Sequence, residues 1–358
     1  MTRAAEALID LQAIRHNLQR VRETAPTSKV IAIIKANGYG HGMARVASAL
    51  QSVDAFGVSS LYEALKLREE GVQHPILLLE GIYEQAELVP VCQHNLSLVI
   101  HSHFQIEILE NSGFTVPLNV WLKVDTGMHR LGFNISELDS VYHRLQACPQ
   151  VAEPVRVMSH LANADDKQDP KTIEQIKIFK NAIKNIDSEF SIANSAAILG
   201  WPESHLQWVR PGLMLFGISP FCDRISRDDA LIPVMTFRSK LIAINYLKKG
   251  DKVGYGGTWE CPEDMPVGTV AAGYGDGYPR AAKSGTPVLI NGQRVPLIGR
   301  VSMDMIIVDL RQVPKAGIGD DVVLWGGDLP VEEVARCAST IPYELLCGIK
   351  RRVRFIET

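Results

Sequence analysis

No two of the six cysteines form a CxxC pair: Cys92, Cys148, Cys222, Cys261, Cys337 and Cys347 lie scattered through 358 residues. That spacing argues against a zinc site and predicts reduced thiols in a cytoplasmic protein. Basic runs are missing, and the formal charge is -3, which speaks against a nucleic-acid groove or an anionic membrane partner. No apolar run approaches membrane-spanning length, and the opening MTRAAEALIDL lacks the apolar core of an export signal. Gly38-x-Gly40-x-Gly42 and Gly273-x-Gly275-x-Gly277 both lack the spacing of a nucleotide fingerprint. His101-x-His103 has no evident third ligand, so no metal is expected. What remains, 46% hydrophobic and 22% charged residues without low-complexity stretches, is the composition of a chain folded throughout.

The most informative stretch is Val30 to Met43, VIAIIKANGYGHGM. An apolar run bounded by glycines reads as a strand buried on both faces. Lys35 therefore sits where a buried strand gives way to a tight turn. Partial desolvation there disfavours the ammonium and favours a nucleophilic amine able to form a Schiff base. The alternative is a lysine that snorkels to solvent from a strand end.

Strand candidates recur after it: Val30–Ile34, Ala55–Val58, Ile76–Leu79, Leu96–Ile100, Leu118–Val124, Val155–Met158, Phe190–Ala193 and Leu206–Val209. Leu8–Leu11 is a further short candidate. Between them lie apolar residues at helical spacing, as in Met43, Val46, Ala47 and Leu50, or Ile173, Ile176, Phe179 and Ile183. Eight strand–helix units predict an α/β fold, a closed (β/α)8 TIM-type barrel over residues 1–230; an open doubly wound sheet is the alternative. Chemistry in such barrels gathers at the carboxyl ends of the strands. Those ends carry Lys35, Glu80, His101, Asp125 with Arg130, His160, Asn194 with Ser195, and Arg210. Ser195 at a helix start, with Gly212 and Leu213 nearby, suits a phosphate, or Ser195 is a plain helix cap.

From about Pro233 the texture changes to short Val-, Ile- and Thr-rich runs between Gly and Pro turns, predicting a mainly β-strand domain over 231–358. Asn291-Gly292 between two apolar runs is a strong hairpin signal. One helix is expected at about Val331–Cys337. Tyr255, Tyr274 and Tyr278 lie in glycine-rich loops, which predicts phenols near a surface.

Nine separated motifs resemble the alanine racemase family, fold-type III enzymes that use pyridoxal phosphate. They are IAIIKANGYGHG around Lys35, LKVDTGMHRLGF around Arg130, MSHLANAD around His160, ANSAA around Ser195, VRPGLMLFG around Arg210, VGYGGTW around Tyr255, GYGDGYPR around Tyr274, GRVSMDM around Met303 and IPYELLC around Tyr343. The resemblance spans essentially the whole chain. It implies that Lys35 holds the cofactor as a Schiff base and that Tyr39, Asn194, Ser195, Gly212, Leu213 and Tyr343 help bind it. Arg210 would face the pyridine nitrogen, with His160 linking it to the catalytic tyrosine. Lys35 and Tyr255 would be the two bases on opposite faces of the α-carbon. Arg130 and Met303 would receive the substrate carboxylate, Tyr274 would gate the entrance, and Lys123 matches a lysine carbamylated in many members. The family also implies a homodimer in which each subunit contributes Tyr255 and Met303 to its partner's site. Its reaction interconverts L- and D-alanine, for peptidoglycan or for alanine catabolism. His129 and Ser302 stand where many relatives have glycine and cysteine. A serine or broader-specificity racemase, an amino-acid decarboxylase and a noncatalytic cofactor-binding protein are the rivals.

Overall fold

The computed structural model describes residues 3–358 and divides into two compact units. The larger comprises Arg15–Leu215 with Pro220–Arg224; the other comprises the described residues up to Ile14, Phe216–Ser219 and Ile225–Thr358. Strand β1 (Glu6–Ile9) lies two residues earlier than Leu8–Leu11 and pairs with the C-terminal sheet, because Asp10 ends it by accepting the Gln12 and Ala13 amides. Those bonds open the first helix, Leu11–Thr24.

The larger unit is the eight-stranded parallel barrel. Its strands are β2 (Lys29–Ile33), β3 (Ala55–Val58), β4 (Ile76–Leu78), β5 (Leu96–Ile100) and β6 (Leu118–Asp125). A two-residue β7 (Phe133–Asn134) hangs from β6, and β8 (Val151–Met158), β9 (Phe190–Ser191) and β10 (Trp208–Val209) complete the ring. The ladder runs β5-β4-β3-β2-β10-β9-β8-β6, and β5 also pairs with β6, so the sheet is closed. Val30 to Ile34 are at most 7% exposed, the burial expected of a strand covered on both faces. Strands β9 and β10 are shorter than their apolar runs predict. Beyond them the backbone is held by single bonds, such as Arg210 N–H to the Ala193 carbonyl, and is free to turn toward the site.

The second unit is a mainly antiparallel sheet. Its elements are β11 (Met235–Leu247), β12 (Lys252–Val253), β13 (Trp259–Glu260), β14 (Met265–Val270), β15 (Pro287–Ile290), β16 (Gln293–Ile298), β17 (Ile306–Asp309), β18 (Asp321–Trp325) and β19 (Arg354–Glu357). The β15–β16 hairpin turns through Asn291 and Gly292 with φ of 51° and 74°, the left-handed pair that matches strand twist. A helix covers Val331–Cys337. Tyr278 differs from the surface position expected of it: it is 1% exposed and stacks on Trp325. Among the described residues no helix is long and apolar enough to cross a membrane.

Candidate active site

Lys35 lies one residue beyond β2, after Ile34, half-buried, and the chain then makes a left-handed turn. Ala36, Asn37, Gly38 and Tyr39 all have φ between 50° and 64°. Left-handed backbone costs about 1–2 kcal/mol for each residue with a Cβ, so neighbours must hold it. They do: Ala36 N–H donates to Glu63 Oε1 at 2.7 Å, and Asn37 Oδ1 accepts the Met43 amide at 3.0 Å. Glu63 also accepts the Ser59 amide after β3, tying two strand ends together. The turn swings the buried Tyr39 back to Gly212, where an ideal Cβ would fall 2.5 Å from the phenol oxygen. Only glycine leaves that phenol its place.

Ser195 Oγ accepts amides from Gly212 at 2.9 Å and Met214 at 3.3 Å. The cap of the Ser195–Gly200 helix is Asn194, whose Oδ1 accepts the Ala197 amide, so the plain-cap reading of Ser195 is corrected. Tyr39, Ser195, Gly212 and the adjacent Leu213 thus form one cradle of hydroxyls and amides. The Tyr39 and Ser195 hydroxyls brought together there are donors of the kind that suits a phosphate.

Arg210 follows β10 and is 5% exposed. Neutral acceptors hold it: Ser191 Oγ at 2.5 Å, the Ser159 carbonyl, and His160 Nδ1 at 3.4 Å. Among the described residues it makes no ion pair. Burial lowers its pKa to about 10, which still leaves it a cation near neutrality. Burial and the positive charges of Arg210, Lys123, Arg130 and Lys35 push His160 well below the usual histidine range. His160 is therefore neutral and accepts from Arg210 through Nδ1, which leaves its ring proton on Nε2. A buried arginine held only by neutral acceptors has no proton to give away, and its N–H groups fit a cofactor's ring nitrogen as acceptor, so the residues present fit pyridoxal phosphate.

Lys123 on β6 shares this cluster. Burial, then Arg210, Arg130 and Lys35, lower its amine to about 8. Arg130 lies in the loop after β6, where Asp125 Oδ1 accepts the amides of Gly127, Met128 and His129. His129 Nδ1 lies 2.9 Å from the other Asp125 oxygen, which gives this residue a local role. The acidic neighbour felt by Lys123 is Glu80, itself bonded by the Tyr83 hydroxyl. His101 contacts the Glu80 carbonyl within the fold, and His103 pairs with Glu137 at the surface.

Lys35, Tyr39, Lys123, Arg130, His160, Asn194, Ser195, Arg210, Gly212 and Leu213 belong to the barrel unit; Tyr255, Tyr274, Met303 and Tyr343 belong to the other. Within the latter, Gly275 N–H donates to the Met303 carbonyl at 2.8 Å and Tyr274 N–H to that of Ser302 at 3.1 Å, so the two loops are bonded. Tyr255 opens a short turn between β12 and β13 and is 69% exposed. Sequence reasoning missed Glu63, Ser159, Ser191 and Asp276. Glu63, Ser159 and Ser191 support site residues from 19 to 51 positions away, which no local pattern marks, whereas Asp276 lies inside the motif around Tyr274 and only its partners are distant.

The alanine racemase N-terminal domain model matches residues 9–220 and the C-terminal domain model residues 234–357. An alanine racemase of Nitrosococcus oceani is 54% identical over 348 residues, covering 97% of this chain and 98% of that one. The crystal structure of the biosynthetic alanine racemase of Pseudomonas aeruginosa superimposes with a TM-score of 0.97 at 43% identity, over 100% of both chains. That of Bartonella henselae, which contains covalently bound pyridoxal phosphate, does so with 0.90 at 29% identity over 99% of both. Together with the closed parallel barrel, these likenesses mean that the chain belongs to the alanine racemase family.

Proposed function

We propose that this member of the family interconverts L- and D-alanine by a two-base mechanism, with pyridoxal phosphate held covalently on Lys35 Nζ. The observation that carries this reading is the buried Arg210 beside a neutral His160, next to the cradle of Tyr39, Ser195 and Gly212. Asn194, Leu213 and Tyr343 would complete the cofactor's contacts. When bound, pyridoxal phosphate supplies an electron sink for the substrate's α-carbon. Arg210, an arginine with no proton to donate, would keep that sink weak, which would favour prompt return of the proton over side reactions.

Lys35 Nζ would move the α-proton on one face and the Tyr255 hydroxyl of the partner subunit on the other, so the substrate need not turn over. Arg130 offers a guanidinium fork to the substrate carboxylate, and the Met303 amide a second donor. Tyr274 would gate the entrance. A homodimer accounts for the exposure of Tyr255 and Met303, 69% and 54%, as side chains that a second copy would cover. Six cysteines scattered without a CxxC pair support a reducing, cytoplasmic setting.

Lys35→Ala should abolish the absorbance of the protein-bound cofactor together with racemisation; an unchanged spectrum would refute covalent attachment. Tyr255→Phe should keep the cofactor yet stop solvent-deuterium exchange at the α-carbon of L-alanine while exchange of D-alanine persists. Mixed dimers of the two variants should regain partial activity. A panel of amino acids, serine included, tests the choice of alanine.

A further inference from the structure

Asp276 is fully buried and lies just beyond the proposed gate residue Tyr274. Two arginines from opposite ends of the chain grip it. Arg3 donates Nε and Nη2 to its two oxygens, both at 2.7 Å, and Arg352 Nε lies 2.8 Å from Oδ1. Asp276 Oδ2 also accepts the Gly273 amide at 2.9 Å, so the carboxylate is built into the Tyr274 loop. The same arginines reach the Met303 loop. Arg3 Nη2 donates to the Asp304 carbonyl at 2.5 Å; Arg352 Nη2 donates to Asp304 Oδ1 at 2.7 Å and the Met303 carbonyl at 3.3 Å.

The two loops touch with no slack. An ideal Cβ on Gly273 would fall 2.3 Å from the Ser302 carbonyl oxygen and 2.5 Å from that of Met303. One on Gly275 would fall 2.6 Å from Arg352. Each glycine thus marks a backbone approach that a side chain would block. Formal charges balance between Arg3 and Arg352 on one hand and Asp276 and Asp304 on the other. Of the four only Asp276 is buried, the two arginines and Asp304 being partly exposed, so the cluster adds little net stability and its use lies in the bidentate geometry that fixes the loops.

We propose, on the basis of the racemase function proposed above, that Asp276 is a positioning residue for the substrate pocket. Clamped by Arg3 and Arg352, it sets the spacing of Tyr274 and Met303 and thereby the size of side chain admitted. Through Arg3, a residue 273 positions before Asp276 becomes part of that device.

Arg3→Gln, Arg352→Gln and Asp276→Asn test this in the holoenzyme, by amide hydrogen exchange and kinetics. Arg3→Gln should speed exchange of the Tyr274 and Gly275 amides about tenfold, leaving those of the β15–β16 hairpin within about twofold. KM for alanine should rise about tenfold with kcat within about threefold. Serine should gain on alanine in kcat/KM by about tenfold, the value of roughly one small group in a pocket. Arg3→Lys, which keeps the charge without the fork, should fall between wild type and Arg3→Gln. Equal acceleration of exchange in the hairpin, or unchanged exchange and KM, would overturn the clamp. If Asp276→Asn fails to fold, the two arginine variants decide, since each leaves one grip intact. A wild-type chain that does not racemise alanine overturns the proposed function alone, and the exchange comparison still decides the clamp.

Discussion

Lys123 offers the sharpest prediction. Its amine is lowered from 10.5 to about 8 by burial and by three neighbouring cations. At pH 8 about half of such amines are neutral, against roughly one in 300 for an ordinary lysine, a gain of about 150-fold in reactive form. A neutral amine adds carbon dioxide and releases a proton, so the side chain changes from a cation among cations to an anion among them. With bicarbonate labelled with carbon-13, one carbamate resonance should appear at pH 8, weaken steadily below that pH, and vanish in Lys123→Met. KM for alanine should rise in the same variant, because Arg130 loses an anionic neighbour. The lowered pKa also has a stability signature. The folded state holds the proton less tightly than the unfolded one, so the fold is weakened below about pH 8 and the penalty is relieved as pH rises toward 10.5. The cost is ~2–3 kcal/mol, and cofactor-free Lys123→Met should unfold at higher urea than wild type at pH 7 if carbon dioxide is excluded. No carbamate signal, together with unchanged KM in Lys123→Met, would refute the reasoning.

Three further predictions concern the cradle, the barrel's framework and the hairpin. Gly212→Ala, whose Cβ would press on Tyr39, should weaken cofactor binding at least about tenfold, measured by absorbance titration, while the barrel stays folded. Burial works to raise the Glu189 pKa, but hydrogen bonds from Lys29, Arg156 and Trp208 outweigh it and hold the carboxyl at about 2. Its contribution is therefore present above about pH 4.5 and lost as pH falls through about 2. Glu189→Gln should cost ~1–2 kcal/mol in urea unfolding at pH 7, discounted for the partly solvated ion pairs, and the difference from wild type should shrink in acid. Replacing Asn291 and Gly292 by alanines should destabilise the hairpin by ~1–2 kcal/mol in thermal unfolding, since both residues are left-handed.

The sequence by itself determined the barrel's eight strands and their order. Alternating buried strands and amphipathic helices leave few ways to cover a parallel sheet, and the eight-strand count selects the closed barrel now seen in the β5–β6 pairing. The Asn-Gly hairpin and the Val331–Cys337 helix were legible for the same reason: turn chemistry and periodicity are local. Lys35 was singled out because an apolar strand delivers it to the barrel's reactive face. Only the tertiary structure decided what surrounds each group. It placed β1 in the C-terminal sheet, made Asn194 the helix cap in place of Ser195, buried Tyr278, and gathered Lys123, Arg130, His160 and Arg210 into one field. It also joined Arg3 to Asp276 across 273 positions. Burial and Coulomb interactions depend on distance in space, and a local pattern records only distance along the chain.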